Sequence, residues 1–229
     1  MNNSHGWFTS GSYQLARHID LPSSGTGPVG VVMVPPFGWE DICSYRPLRF
    51  LGKALAESGF PVLRYDLPGT GDSSGSALDP GLVEAWLRSV PDAMDELRCS
   101  TGVDHIALVG VGVGALLAAA AAIRGADFSH LVLWGCAQSG RAALRQLRVL
   151  AKLETTEFAN GELPAPQTGS GLEVAGFLLS LETQRDLESL DLLSPPAMSG
   201  KPILVLSRDE LAVDPKLVNA LKTSGAHVE

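Results

Sequence analysis

The residues of this chain that could do chemistry gather in four short loops, each following an apolar run. They are Pro35-Pro36-Phe37-Gly38-Trp39, residues 66–75, Gly110-Val111-Gly112-Val113-Gly114 and Ser207-Arg208-Asp209-Glu210. The third loop falls where a strand turns sharply into a helix. Acyl chemistry at such a turn needs a nucleophile on it, backbone amides to receive the charge of a tetrahedral intermediate, and a base backed by a carboxylate. The centre of the turn is Gly112, which has no hydroxyl, thiol or carboxylate with which to attack a carbonyl. A water in the space so left would meet the same amides but lack a basic partner.

Other candidates for the missing parts are weak. His5 lies in an N-terminal arm, His18 in a hairpin, and His105, His130 and His227 each begin a strand, at the sheet end away from the four loops. All read as ordinary polar residues. Cys136 and Ser139 follow a strand at the loop end and are pocket candidates, although a cysteine nucleophile needs a base or a lowered pKa. Cys136 reads best as a small buried hydrophobe. Asp72 is a further pocket candidate, while Ser73 and Ser74 read as capping residues of a turn that opens a helix. Gly110-x-Gly112-x-x-Ala115 also fits a dinucleotide-binding turn, but the next strand runs into Gly135 and Cys136 where that site needs an acidic residue.

The elements that must position these loops can be read from the punctuation. Residues 7–21 pattern as a hairpin, and Val29–Val34 is continuously apolar, as a strand covered on both faces should be. A helix over 45–58, a strand over 61–65, and a helix over 82–98 that Pro91 should kink or split come next. Strands at 105–109, 130–134 and 202–206 follow, with helices at 113–124 and 215–223. This alternation predicts a doubly wound, mostly parallel sheet with its ligand site at the carboxyl ends of the strands. Residues 139–200 break the rhythm and read as a helical cap: a helix over 141–158, a flexible loop over 160–171, and a second helical part ending near Leu193. The core then comprises residues 1–138 and 201–229. On the first cap helix Arg141, Arg145, Arg148 and Lys152 form a basic stripe, read as a solvated face before an anion or partner site.

With 17 basic and 25 acidic side chains the formal charge is −8, which excludes a broadly basic nucleic-acid binder. At 229 residues, 45% hydrophobic and 18% charged, the chain can bury one sizeable core. Three scattered cysteines give neither a disulfide framework nor a metal spacing, so no metal or cofactor is expected and a reducing cytoplasm is the default. The first ten residues lack the pattern of a secretory signal. The uncharged stretch 106–123 reaches the lower limit of a membrane span, yet it reads as a strand followed by an Ala-rich helix.

Taken together, the four loops resemble those of the α/β-hydrolase superfamily, with its nucleophile elbow between a strand and a helix. The wording VLRYDLPGTGDSSG (62–75), LVGVGVGALLAAAAA (108–122) and LEVAGFLLS (172–180) resembles the exosortase-A-system-associated, serine-aminopeptidase-like hydrolases. The resemblance implies an α/β-hydrolase fold with a helical cap after the sixth strand. It implies an oxyanion hole from the amides of Phe37 and Val113, a pocket touching Gly38 and Trp39, and Asp209 as the acid of the triad. Its catalytic His would follow the last strand, and the sequence stops at Glu229 inside that strand. The expectation is a family member with a degenerate elbow that binds an acyl- or ester-like small molecule or a protein partner. The alternative is an active ester, thioester or amide hydrolase that uses a nucleophile outside the elbow, or is completed by residues beyond Glu229 or by another chain.

Overall fold

The computed structural model describes residues 3–23, 25–157, 171–174, 176–208 and 212–229. The hairpin consists of β1 (Asn3–Ser10) and β2 (Tyr13–Asp20). It is followed by β3 (Val29–Val34), α1 (Trp39–Glu57), β4 (Val62–Tyr65), α2 (Leu82–Thr101), β5 (His105–Val111), α3 (Val113–Ile123) and β6 (His130–Trp134). Then come α4 (Gly140–Glu157), a second hairpin of β7 (Gly171–Val174) and β8 (Phe177–Ser180), and α5 (Leu181–Glu188). The described chain closes with β9 (Pro202–Leu206), α6 (Pro215–Thr223) and β10 (His227–Val228). Eight strands form one sheet in the order β1-β2-β4-β3-β5-β6-β9-β10. The six strands from β4 to β10 are parallel, and β2 joins β4 antiparallel.

The apolar strands are covered from both sides because their side chains alternate between two cores. Val32 and Val34 face the larger core with α2 and α3, while Val31 and Met33 face a smaller one with Leu48 of α1. Helix α3 is buried from Val113 to Ala122, and its run of alanines lets it lie close against β5 and β6. On the α1 side the cover thins toward β9, where Leu204 is 38% exposed. The uncharged stretch 106–123 is β5 plus α3, and no helix among the described residues is long and apolar enough to cross a membrane.

Three expectations need correction. Helix α1 begins at Trp39, not at 45. Gly38 turns the chain with φ 72° and ψ −136°, Glu40 and Asp41 then suit the positive end of the helix, and Pro47 is carried inside it. Helix α2 runs unsplit through Pro91. The second part of the 139–200 segment is the β7–β8 hairpin before it is helical, and α5 stops at Glu188; Ser180 caps α5 by accepting from the Thr183 amide at 3.0 Å. Of the expected loop over 160–171, residues 160–170 lie outside the described residues, and Gly171 opens β7.

Candidate functional site

The carboxyl ends of β3, β5, β6 and β9 come together because these strands are neighbours in register. Val34 pairs with Gly110, Val111 with Trp134, and Trp134 with Leu206. Beyond β5 the chain reverses at Gly112 with φ 55° and ψ −119° and enters α3 at once. That backbone is strained for any residue with a Cβ. Gly110 and Gly114 are demanded by packing instead. A Cβ on Gly110 would stand 2.5 Å from the Ala115 Cα, and one on Gly114 would overlap the carbonyls of Val34 and Pro35. The turn is thus a tight strand-to-helix reversal in backbone and packing, and the residue at its centre carries no side chain.

The space in front of Gly112 is taken by a residue that the sequence did not single out. A Cβ added to Gly112 would run into the carboxylate of Glu40, whose Oε1 would lie 3.0 Å away. Glu40 reaches the elbow from the first turn of α1, and Arg208, just after β9, donates to its Oε1 from Nη1. Arg208 in turn packs over Gly135, where a Cβ would meet its own Cβ at 3.1 Å. A carboxylate held by a guanidinium 168 positions further along the chain therefore stands where a side chain at 112 would project.

Two cavities open on this pair. One, of about 40 Å³, is walled by Phe37, Gly112, Val113, Ala143, Leu147 and Val174. The other, of about 530 Å³, runs between α1 and the open face of the sheet, along Pro47, Leu48, Leu51, Val111 and Trp134. Trp39, Glu40, Leu150 and Arg208 border both. As the first residue of α3, Val113 presents an amide that the helix itself cannot satisfy. Phe37 is buried and wedged between Trp86 of α2 and Phe177 of β8, with ring centroids 5.3 and 5.8 Å away. Its backbone is held beside the elbow by that packing.

The remaining expected residues divide. Gly38 and Trp39 lie at the site, Gly38 as the hinge into α1 and Trp39 on both cavity rims. Cys136 lines a separate cavity of about 250 Å³ between the ends of β6 and β9, and burial pushes its thiol up to about 12. Ser139 lines none of the cavities described; its Oγ accepts from the Ala142 amide at 3.3 Å, holding the start of α4. Asp72 is exposed, and its amide donates to Asp66 at 2.9 Å within the turn. Ser73 and Ser74 do not cap α2, because they accept from the amides of Ala16 and Gln14 and pin the turn to β2. Asp209 lies outside the described residues.

None of the described histidines approaches the elbow. His105, His130 and His227 are exposed at strand beginnings, and His5 stacks edge-on against His18 with centroids 4.2 Å apart. His18 lines a small cavity with Asp41, Arg64, Asp66 and the apolar Met33 and Leu48, where burial lowers its own pKa. In the same cavity burial, then Asp66 and Glu40, raise Asp41 to about 6. The basic stripe lies on the exposed face of α4, where Arg148 fastens to Glu188 of α5 at 3.2 Å. Among the described residues no cluster of His, Cys, Asp or Glu could hold a metal. The dinucleotide reading fails on charge, since the Glu40 carboxylate lies where a pyrophosphate would have to approach the Gly112 turn.

Sequence reasoning missed Glu40 because it left residues 40–44 in a loop. The signal was present: a glycine followed by two acidic residues is a helix start.

Comparison with known proteins gives one family and many similar folds. A family model described as "Alpha/beta hydrolase family" matches residues 31–228. Est1E from Butyrivibrio proteoclasticus, solved with ferulic acid bound, is 20% identical with a TM-score of 0.68, over 97% of this chain and 87% of that one. The alpha/beta hydrolase GrgF from Penicillium sp. sh18 is 18% identical with a TM-score of 0.70, over 100% and 89%. XC6422 from Xanthomonas campestris, described as an a/b serine hydrolase without lid, is 18% identical with a TM-score of 0.58, over 99% and 82%. No curated protein matches the sequence.

Proposed function

The chain belongs to the alpha/beta hydrolase family, and from that premise we propose that it binds an acyl- or ester-type small molecule at an elbow from which the serine route has been removed. The observation that carries this reading is the Gly112 turn itself. Its backbone has the form that presents a side chain at the strand-to-helix turn, yet the Glu40 carboxylate, held by Arg208, fills the place where that side chain would stand. The amides of Phe37 and Val113 are the groups that would receive the ligand's carbonyl oxygen. An alkyl or aromatic acyl group would lie in the 530 Å³ cavity, which falls within the range of small-molecule sites and is walled mainly by apolar side chains. Ferulic acid bound to a protein of the same fold supports a ligand of this kind. The resemblance of residues 62–75 and 172–180 supports a place near the exosortase-A-system-associated hydrolases. The segment between β6 and β9 supplies Leu147, Leu150 and Val174 to the elbow cavity and is the candidate lid.

The test is ligand-dependent thermal stabilisation by a ketone series that cannot be hydrolysed, from 2-butanone to 2-decanone. The melting temperature should rise with chain length until the cavity is filled, because only the folded state binds. Leu150→Trp, on the rim of both cavities, should abolish the rise. Stabilisation that is absent in wild type, or unchanged in Leu150→Trp, overturns the reading.

A further inference from the structure

The turn at Gly112 carries no nucleophile of its own but is faced by a carboxylate, and three features make that arrangement a chemical site. First, Glu40 is not merely near Gly112: its carboxylate coincides with the position from which a side chain at the elbow would act. Second, the cavity of about 40 Å³ that it borders exceeds the 10–15 Å³ or so that one water needs, so water can stand between Glu40 and the Phe37 and Val113 side of the turn. Third, the carboxylate is held in direction by Arg208, while Phe37, Val113, Ala143, Leu147 and Val174 make most of the remaining wall apolar, with Gln146 as its one polar neutral side chain. Polar interactions aimed at a developing charge are strongest in such surroundings.

We propose that Glu40 is a general base that activates water at this elbow, so that esters or thioesters are hydrolysed directly and no acyl-enzyme is formed. This rests on the reading that an acyl ligand occupies the site. With the ligand carbonyl at the Phe37 and Val113 amides, Glu40 removes a proton from the water as its oxygen forms a bond to the carbonyl carbon. The carbonyl electron pair moves onto oxygen and is held by the two amides. Collapse re-forms the carbonyl, breaks the bond to the alkoxide or thiolate, and Glu40 returns the proton to that leaving group. One water is consumed, an acid and an alcohol or thiol are released, and the carboxylate is restored. Glu40 thus supplies the basic partner that a water in front of a glycine elbow otherwise lacks.

The experiment measures turnover of p-nitrophenyl hexanoate by the full chain alongside thermal stabilisation by 2-octanone. Wild type should turn the ester over, and Glu40→Gln should lose at least about 100-fold in rate while keeping the 2-octanone shift, since general-base catalysis contributes about 10²–10⁴-fold. Glu40→Ala should regain rate on addition of formate, a small carboxylate that can enter the space vacated. Single turnover in ¹⁸O-water should label the released hexanoate and leave the protein unlabelled. A Glu40→Gln variant as fast as wild type, ¹⁸O in Glu40, or a burst of p-nitrophenol overturns the proposal. Binding of 2-octanone without any turnover also overturns it and leaves the ligand-binding reading standing; absence of both removes that reading as well. A melting temperature for each variant separates lost chemistry from lost folding, and Glu40→Asp, which keeps the charge, should stay folded and retain part of the rate.

Discussion

Placing a serine at position 112 is not a one-residue change. Its Cβ would have to adopt φ 55° and share space with the Glu40 carboxylate. Gly112→Ser should therefore lower stability by about 2 kcal/mol, the scale of a residue held in a sparsely populated conformation, as read from urea unfolding. Adding Glu40→Ala should recover part of that loss. Labelling by a fluorophosphonate serine probe should stay absent in both variants, because none of the described histidines approaches the elbow to activate the new hydroxyl. Cys136 makes the opposite point, that a nucleophilic atom at the right end of the sheet need not be reactive. With its thiol pushed up to about 12 by burial, it holds almost no thiolate at neutral pH. In iodoacetamide labelling at pH 8 the exposed Cys43 and Cys99 should be modified first and Cys136 slowest. A Cys136 rate equal to theirs would contradict its burial.

At the scale of elements, α1 does two things with consecutive residues. Its first turn sends Glu40 to the elbow and Asp41 to the small cavity beside His18, Arg64 and Asp66. Asp41 has a pKa of about 6 in the folded protein against 3.8 as its ordinary value, so between those values the folded state holds more protons than the unfolded one. Stability from this group is unaffected below about pH 4 and falls as pH rises through 6. Asp41→Asn should be more stable than wild type at pH 7 by about 1 kcal/mol, a part of the full linkage because the carboxyl keeps contact with water. The gap should close below pH 4. Equal unfolding midpoints at both pH values would show that burial does not hold the Asp41 carboxyl above its ordinary range. The start of α1 was also the costliest misreading in the sequence, since beginning it at 45 hid Glu40 as a loop residue. By contrast Val29–Val34 and the Gly110 to Gly114 turn were legible, because continuous apolar runs and alternating glycines are local signals.

Across the whole molecule the parallel sheet was readable from the alternation of strand and helix patterns, and the elbow from one loop. The Glu40–Arg208 pair was not, because nothing local in either segment refers to the other; only the strand order, with β3, β5, β6 and β9 as neighbours, brings them together. The β7–β8 hairpin was hidden for a different reason. Leu172, Val174, Phe177 and Leu179 are too few to separate a short strand pair from a helix by period.

The separation of 168 positions between Glu40 and Arg208 bears on how the protein comes into being. During synthesis from the N-terminus, α1 and the Gly112 turn leave the ribosome long before β9 exists, so Glu40 at first has no Arg208 to pair with. Only when β9 docks on β6 does Arg208 arrive to close that gap. Contacts of such long sequence separation come at a high loop-closure cost, which slows folding. The site is therefore completed only after β9 has been made and has docked.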